Sequence, residues 1–203
     1  MNYFSTSYSI MEHFYTIQGE GYWVGTPAYF IRLAGCDVGC HWCDVKESWD
    51  KNQHPILSVE EILEHIKKTP TQRIVITGGE PLQQDLTDLC KALHQKDWKI
   101  HLETSGVYPL SGEIDWICLS PKKFQKPLSS IYAYVHELKV IIYHVSDFEF
   151  AEEHASLCPP STHLFLQPEW SKESKLLPQI IEYTKQNPQW RISLQTHKYM
   201  NIP

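Results

Sequence analysis

Three cysteines, Cys36, Cys40 and Cys43, lie within eight positions of the sequence with the spacing C-x3-C-x2-C. Gly35 and Gly39 stand beside them and predict a tight loop wrapped around a bound group, because glycine adopts backbone conformations that other residues avoid. A thiolate is both a soft metal ligand and a nucleophile. The cluster therefore predicts metal binding or redox chemistry.

Four interpretations of the cluster stay open on these residues alone. A structural zinc site normally needs four ligands; His41 is available, but no second C-x2-C or His pair follows at a suitable spacing. A thiol–disulfide couple would use Cys40 and Cys43 and leave Cys36 without a role. Three merely buried cysteines would be a coincidence. A cubane iron–sulfur cluster with three thiolates would leave one iron open, whereas electron-transfer clusters use four.

A second motif, Thr77-Gly78-Gly79-Glu80-Pro81, follows another apolar run. Its glycines allow the backbone to approach a ligand closely, and Glu80 offers an anion to an ammonium group. A third stretch, "IQGEG" at 17–21, is a glycine-rich loop with one carboxylate, Glu20, and composition alone indicates only a turn.

The elements that must position these motifs are short apolar runs, each followed by turn-forming residues. Richness in β-branched and aromatic residues predicts strands at 28–33, 73–77, 99–103, 114–120, 137–142, 164–167 and 190–196. Helical periodicity is present at 58–68, 83–95, 146–157 and 172–186, and Ser58 and Glu61 form a capping box at the start of the first helix.

Strands that alternate with helices predict a parallel sheet, and polar residues gathered after strand ends are typical of a (β/α) barrel. The link 107–113 is only seven residues long and contains Pro109 and Gly112, which is too short for a helical crossover. We therefore predict an α/β fold: a shortened, incomplete TIM-like barrel with about six or seven strands and reduced helices. Residues 1–203 are expected to form a single domain.

Composition excludes several classes of protein. No apolar run approaches the roughly 18 residues of a membrane span, and no signal peptide is visible, so we expect a cytoplasmic protein without a membrane partner. The net charge of -6 without a basic run disfavours a nucleic-acid partner. In a reducing compartment the isolated cysteines Cys90, Cys118 and Cys158 are expected to be buried and inert.

The C-x3-C-x2-C motif after a strand, its aromatic-Cys-Asp ending and the later G-G-E-P together resemble the radical S-adenosylmethionine superfamily. The resemblance implies a 4Fe-4S cluster held by Cys36, Cys40 and Cys43, with its open iron chelated by S-adenosylmethionine. Electron transfer from the cluster would cleave the sulfonium to a 5′-deoxyadenosyl radical. In that superfamily the G-G-E-P element contacts the methionine amino group.

The pattern "FYTIQGEG" before "FIRLAGC", with "SPK" further on and "LQTHKYMNIP" at 194–203, closely resembles the 7-carboxy-7-deazaguanine synthase family from Glu12 to Pro203. The resemblance implies conversion of 6-carboxy-5,6,7,8-tetrahydropterin to 7-carboxy-7-deazaguanine, with loss of ammonia, in queuosine and 7-deazapurine biosynthesis. S-adenosylmethionine would be regenerated. The resemblance also implies a homodimer and a reducing partner such as flavodoxin or ferredoxin.

The same resemblance assigns roles to individual residues. S-adenosylmethionine is expected to contact Trp42, Cys43, Asp44, Gly79, Glu80, Ser105, Ser120, Pro121, Lys122, Gln167, Pro168, Glu169 and Trp170. The pterin is expected to contact Ile17, Gln18, Gly19, Arg32, Thr77 and Pro203. Glu20 is expected to support its loop, Arg32 suits the substrate carboxylate as a bidentate partner, and the α-carboxylate of Pro203 suits the pterin amine.

One position departs from the family pattern. Many members place Thr or Ser directly after the Cys-Asp, where its hydroxyl binds Mg2+, but this chain has Val45. Either Mg2+ is held by substrate, water and backbone, or the requirement is relaxed. Lys46 is a candidate to supply the missing charge.

Two other functions fit the cysteine cluster. One is a different small radical S-adenosylmethionine protein, such as an enzyme that makes a glycyl radical on a partner, and the other is a zinc-stabilised binding module. The motifs near both chain ends favour a small enclosed substrate instead.

Overall fold

A computed structural model describes residues 6–203, which form one nine-stranded sheet flanked by helices. The strands are β1 (Ser7–Ile17), β2 (Pro27–Leu33), β3 (Ile56–Ser58), β4 (Arg73–Gly78), β5 (Lys99–Thr104), β6 (Trp116–Leu119), β7 (Glu137–Ile142), β8 (His163–Pro168) and β9 (Trp190–Ile192). Their order in the sheet is β3-β1-β2-β4-β5-β6-β7-β8-β9. All pairings from β2 to β9 are parallel, whereas β1 pairs antiparallel with β2 and β3.

The sheet is an incomplete barrel. Arg32 on β2 and Gln167 on β8 line the same cavity although four strands lie between theirs in the sheet, so the sheet must curl around that cavity. Within residues 6–203, no pairing joins β9 to β3, and the barrel is therefore open on one side.

The helices of the described residues are α1 (Val59–Ile66), α2 (Thr87–His94), α3 (Asp147–Ala155), α4 (Glu173–Gln186) and α5 (Thr196–Met200). The first four cover the outer face of the sheet in two groups. Apolar residues of α1 and α2 pack against β1, β2, β4 and β5, and those of α3 and α4 pack against β7, β8 and β9. The capping box of α1 is present: the Glu61 backbone N–H donates to Ser58 Oγ, and the Ser58 N–H donates to Glu61.

The predicted α/β incomplete barrel is confirmed, and each of the seven predicted runs overlaps one parallel strand. The predicted absence of a helix between β5 and β6 is also confirmed. The predicted last strand is too long, since β9 ends at Ile192 and α5 begins at Thr196. The helix predicted from residue 83 begins at Thr87, because Pro81–Gln83 forms a separate 3-10 turn.

The two antiparallel strands were not predicted. In β1 a register shift between Ile10 and Glu12 interrupts the alternation of buried and exposed residues, which is the usual sequence signal of a strand. β3 has only three residues and pairs with the start of β1. The parallel strands, β2 and β4 to β9, carry the motifs at their carboxyl ends, and these ends meet at one rim of the barrel.

Candidate active site

A cavity of about 330 Å³ lies at the carboxyl ends of the parallel strands. All but two of the site residues expected from the sequence line it: Ile17, Gln18, Gly19, Arg32, Cys36, Cys40, Trp42, Cys43, Asp44, Thr77, Gly79, Ser105, Ser120, Lys122, Gln167, Pro168, Glu169, Trp170 and Pro203. The exceptions, Glu80 and Pro121, are buried outside the lining. Residues distant in sequence therefore share one enclosed space.

The three-cysteine loop contributes one end of the cavity. Cys36, Cys40 and Cys43 pack together as free thiols against Val38 and Val107. Burial raises the pKa of Cys36 and raises the pKa of Cys40 to about 11, although the Lys122 charge opposes the shift at Cys40. A redox thiol needs a lowered pKa. Three neighbouring thiols in one loop fit a metal cluster better, because metal binding displaces thiol protons.

The G-G-E-P turn packs directly on the cysteine loop. The Gly79 N–H donates to Leu33 O at 3.0 Å and the Glu80 N–H donates to Gly35 O at 2.8 Å. A methyl group at Gly79 would lie 2.4 Å from Gly35 O and 2.7 Å from Cys36 Cβ, closer than atoms can approach. Glycine is required at position 79 because two backbones meet there.

Glu80 supports the cavity wall from behind. Its carboxylate accepts hydrogen bonds from the Ser105 N–H at 2.8 Å, the Thr104 hydroxyl at 2.6 Å and the Leu82 N–H at 3.1 Å. The Ser105 hydroxyl donates to it as well, at 2.5 Å. Glu80 is 1% exposed, so the carboxylate fixes Ser105, which itself lines the cavity.

The opposite end of the cavity is a charged recess, which we define as Gln18, Glu20, Glu103 and Lys139. Lys139 Nζ donates to Glu20 and, at 2.8 Å, to Glu103; Gln18 Nε2 donates to the other oxygen of Glu103 at 3.0 Å. Burial by itself raises the pKa of Glu103, but the Lys139 charge outweighs it and holds the pKa at about 2. The recess therefore presents ionised groups to the cavity.

Sequence reasoning did not identify Glu103 or Lys139 as site residues. Each is a charged residue within a largely buried strand, "KIHLE" for β5 and "ELKVII" for β7. A charge in a buried strand is rare unless it is paired. That signal was available in the sequence.

Residues after β9 close the recess. The Thr196 backbone N–H and hydroxyl both donate to Gly19 O at 2.9 Å, and Gln195 Nε2 donates to Glu20 at 2.9 Å. His197 lies so close to Gly19 that a methyl group there would be 2.3 Å from its Nδ1. His197 also lines the cavity, and sequence reasoning had not singled it out.

Beside the Cys-Asp step, where many family members carry a magnesium ligand, the structure places a different cation from the one that the sequence suggested. Val45 lines the cavity and its N–H donates to Cys43 Sγ at 3.4 Å. The Asp44 carboxylate pairs with Lys198 Nζ at 3.0 Å, whereas Lys46 lies over the Trp49 ring. The cation beside the Cys-Asp step is therefore Lys198.

Arg32 reaches the cavity from β2, with its Nε donating to Glu12 at 2.7 Å. Its side chain is 20% exposed. Since the Nε edge is taken, a bidentate contact with a substrate carboxylate would use the two terminal nitrogens.

This fold and site define a radical S-adenosylmethionine protein, and residues 30–122 match the family model described as Radical SAM superfamily. That superfamily uses a 4Fe-4S cluster and S-adenosylmethionine, and the three-thiol loop fits the cluster. The chain is 56% identical to the 7-carboxy-7-deazaguanine synthase of Flavobacterium psychrophilum over 96% of this chain and 92% of that protein. It is 48% identical to the enzyme of that name from Synechocystis sp., over 98% and 95% of the two chains. The chain belongs to the 7-carboxy-7-deazaguanine synthase family.

A solved structure gives the same result for the fold. The crystal structure of QueE from Escherichia coli superimposes with a TM-score of 0.85 at 32% identity, covering 93% of each chain. Among residues 6–203, no helix is both long enough and apolar enough to cross a bilayer.

Proposed function

We propose that this protein converts 6-carboxy-5,6,7,8-tetrahydropterin to 7-carboxy-7-deazaguanine with loss of ammonia, as a step of queuosine or 7-deazapurine biosynthesis. The observation that carries the proposal is one cavity that joins three thiols to the charged recess. The thiol end suits the cluster and S-adenosylmethionine, and the recess suits a polar bicyclic substrate. Relatives named for this reaction support the same conclusion.

In this proposal the thiol end prepares the reactive group. Cys36, Cys40 and Cys43 hold the cluster, which supplies the 5′-deoxyadenosyl radical when S-adenosylmethionine is bound to it. The cradle for S-adenosylmethionine is formed by Trp42, Cys43, Asp44, Gly79, Ser105, Ser120, Lys122, Gln167, Pro168, Glu169 and Trp170. Glu80 acts as a positioning residue by fixing Ser105, and Pro121 is the buried neighbour of Lys122 along the chain.

The recess orients the pterin. The Glu103 carboxylate, ionised and held by Gln18 and Lys139, has lone pairs left to accept hydrogen bonds from the guanidine-like edge of the pterin ring. Arg32 presents its terminal nitrogens to the substrate carboxylate. The remaining contacts expected for substrate are Ile17, Gly19, Thr77 and Pro203, all of which line the cavity.

The reaction can be tested with anaerobically reconstituted protein, chemically reduced and supplied with S-adenosylmethionine and the carboxy-tetrahydropterin. We expect about four irons per chain and a product with the mass and absorbance of the deazapurine, without net consumption of S-adenosylmethionine. Cys40→Ala should abolish turnover, and Cys90→Ala, which alters a fully buried cysteine outside the cavity, should not. Formation of 5′-deoxyadenosine alone would contradict the substrate assignment.

Further properties of the enzyme follow from the same proposal. We infer a single-domain homodimer in the cytoplasm, reduced by a flavodoxin or ferredoxin. Mg2+, if the reaction uses it, would be held through substrate, water and backbone, because Val45 has no side-chain oxygen. Sedimentation of the reconstituted enzyme tests the dimer, and turnover with each reduced carrier in place of a chemical reductant tests the donor.

A further inference from the structure

Three buried side chains below the charged recess make a second group of metal-ligand atoms. His101 on β5, Cys118 on β6 and Glu137 on β7 bring one nitrogen, one sulfur and one carboxylate oxygen within 4.8 Å of one another. They are 1%, 0% and 1% exposed. His101 and Glu137 each precede a recess residue by two positions, so the three side chains form the next layer inside the barrel.

The imidazole of His101 has no hydrogen-bond partner at either ring nitrogen, although both atoms are buried. Buried polar groups in native proteins are almost always satisfied. A neutral imidazole has one donor and one acceptor, and here both are directed into the protein interior without a partner. A buried donor and a buried acceptor without partners, next to a thiol and a carboxyl group, indicate that these side chains bind a ligand.

We propose that His101, Cys118 and Glu137 bind a zinc ion at a site separate from the three-cysteine loop. The donor set of imidazole, thiolate and carboxylate is one that zinc prefers. Tetrahedral zinc places such donor atoms about 3.3–3.5 Å apart, so the side chains need to close by no more than about 1.5 Å. Three protein ligands leave the fourth position for a water molecule.

The charges around the site are compatible with a dication. Zinc bound by one thiolate and one carboxylate is electrically neutral and adds no net charge to the interior. The nearest buried cation, Lys139, is already paired with Glu20 and Glu103. Without metal, burial raises the pKa of Cys118 and raises the pKa of Glu137 to about 7, and coordination would displace those protons.

The zinc site would strengthen the barrel where two neighbouring strands have a short pairing. The pairing of β6 with β7 spans only Cys118 with Glu137 and Leu119 with Leu138. Glu137 also accepts a hydrogen bond from Trp116 Nε1 at 3.1 Å, and a methyl group at Gly21 would lie 1.9 Å from its Oε1. A metal held there would lock β5, β6 and β7 together beneath the 17–21 loop.

The first experiment separates this site from the cluster site. In a triple variant, Cys36, Cys40 and Cys43 each changed to Ala, we expect about one zinc per chain. Added Co2+ should give a thiolate-to-metal charge-transfer band. Adding Cys118→Ala should remove both signals, whereas Cys90→Ala, which truncates another fully buried cysteine, should keep them. Absence of metal from the folded triple variant, or its persistence after Cys118→Ala, would overturn the proposal.

A second measurement uses the protein without substitutions, so its result does not depend on whether a variant folds. Zinc-edge X-ray absorption on the reconstituted holoenzyme should find one sulfur neighbour per zinc. Three sulfur neighbours would place the zinc on the three-cysteine loop. Holoenzyme that contains no zinc, although the cells were grown with added zinc, would show that the three side chains bind no metal. Either result refutes the site. Both measurements are independent of turnover, so they stand whether or not the proposed reaction is correct.

Discussion

Replacing the buried lysine of the recess tests how strongly its charges are coupled. Lys139→Met keeps most of the side-chain length but removes the ammonium, which leaves Glu20 and Glu103 without their shared counter-charge. Removing one partner of a buried ion pair costs about 3–5 kcal/mol. Lys139 is 3% exposed, but the carboxylates are 16% and 19% exposed. We therefore expect the lower end, about 3 kcal/mol of unfolding free energy.

The loss should depend on pH in a defined direction. Lys139 opposes the effect of burial and lowers the pKa of Glu103 from 4.5 to about 2. A carboxyl group whose pKa is lowered by folding stabilises the folded state above its unfolded pKa and loses that stabilisation as the pH falls through the folded value. The difference between wild type and Lys139→Met should be complete at pH 7 and shrink below pH 4.5.

Urea unfolding of the cluster-free protein, followed by circular dichroism, measures this difference. The control is Lys185→Met, because Lys185 and Glu182 form a pair that is 66% and 63% exposed. Such surface pairs contribute less than about 1 kcal/mol. If Lys139→Met stays within 1 kcal/mol of wild type, or if its deficit is the same at pH 7 and pH 4, the electrostatic account of the recess is refuted.

Three further changes test the rest of the cavity. Gly79→Ala should push the turn away from Cys36 and lower the iron bound per chain after reconstitution at least twofold. Gly25→Ala strains a left-handed backbone (φ 84°) but meets no atom within 4 Å and lies outside the cavity lining, so it should bind normal iron. Val45→Thr restores a hydroxyl beside the Cys-Asp step, so turnover should become more responsive to added Mg2+ than in wild type; equal responses would contradict the hydroxyl's role. Deletion of Pro203 should raise KM for the pterin about tenfold or more without changing the cluster's spectrum, and an unchanged KM would remove Pro203 from the substrate site.

The parallel part of the barrel was predictable because each strand is a compact apolar run. "RIVIT" and "KIHLE" contain enough β-branched and apolar residues to define β4 and β5 within a residue or two. The cysteine loop and the G-G-E-P turn were predictable from spacing, since both motifs lie in short continuous segments. β1 was missed because its bulge breaks the period of two on which strand prediction depends.

The recess was not predictable in the same way, because its chemistry depends on register. Glu103 pairs with Cys118, and Cys118 pairs with Glu137, so hydrogen bonding between strands fixes which positions of β5 and β7 come close together. A one-residue slip would turn Lys139 to the opposite face. The sequence contains the charged residues but does not state which of them will meet.

The two ends of the cavity differ in how far along the chain their contacts reach, and this has a consequence for folding. The cysteine loop makes its backbone hydrogen bonds within residues 33–80 and packs on Val107, whereas Glu20 meets Lys139 across 119 positions and Gln195 across 175. Contacts between distant residues form late because closing long loops costs chain entropy. A polypeptide still emerging from the ribosome can therefore shape the thiol end long before the substrate end exists. Cluster insertion can precede the completion of the enzyme, and catalysis cannot.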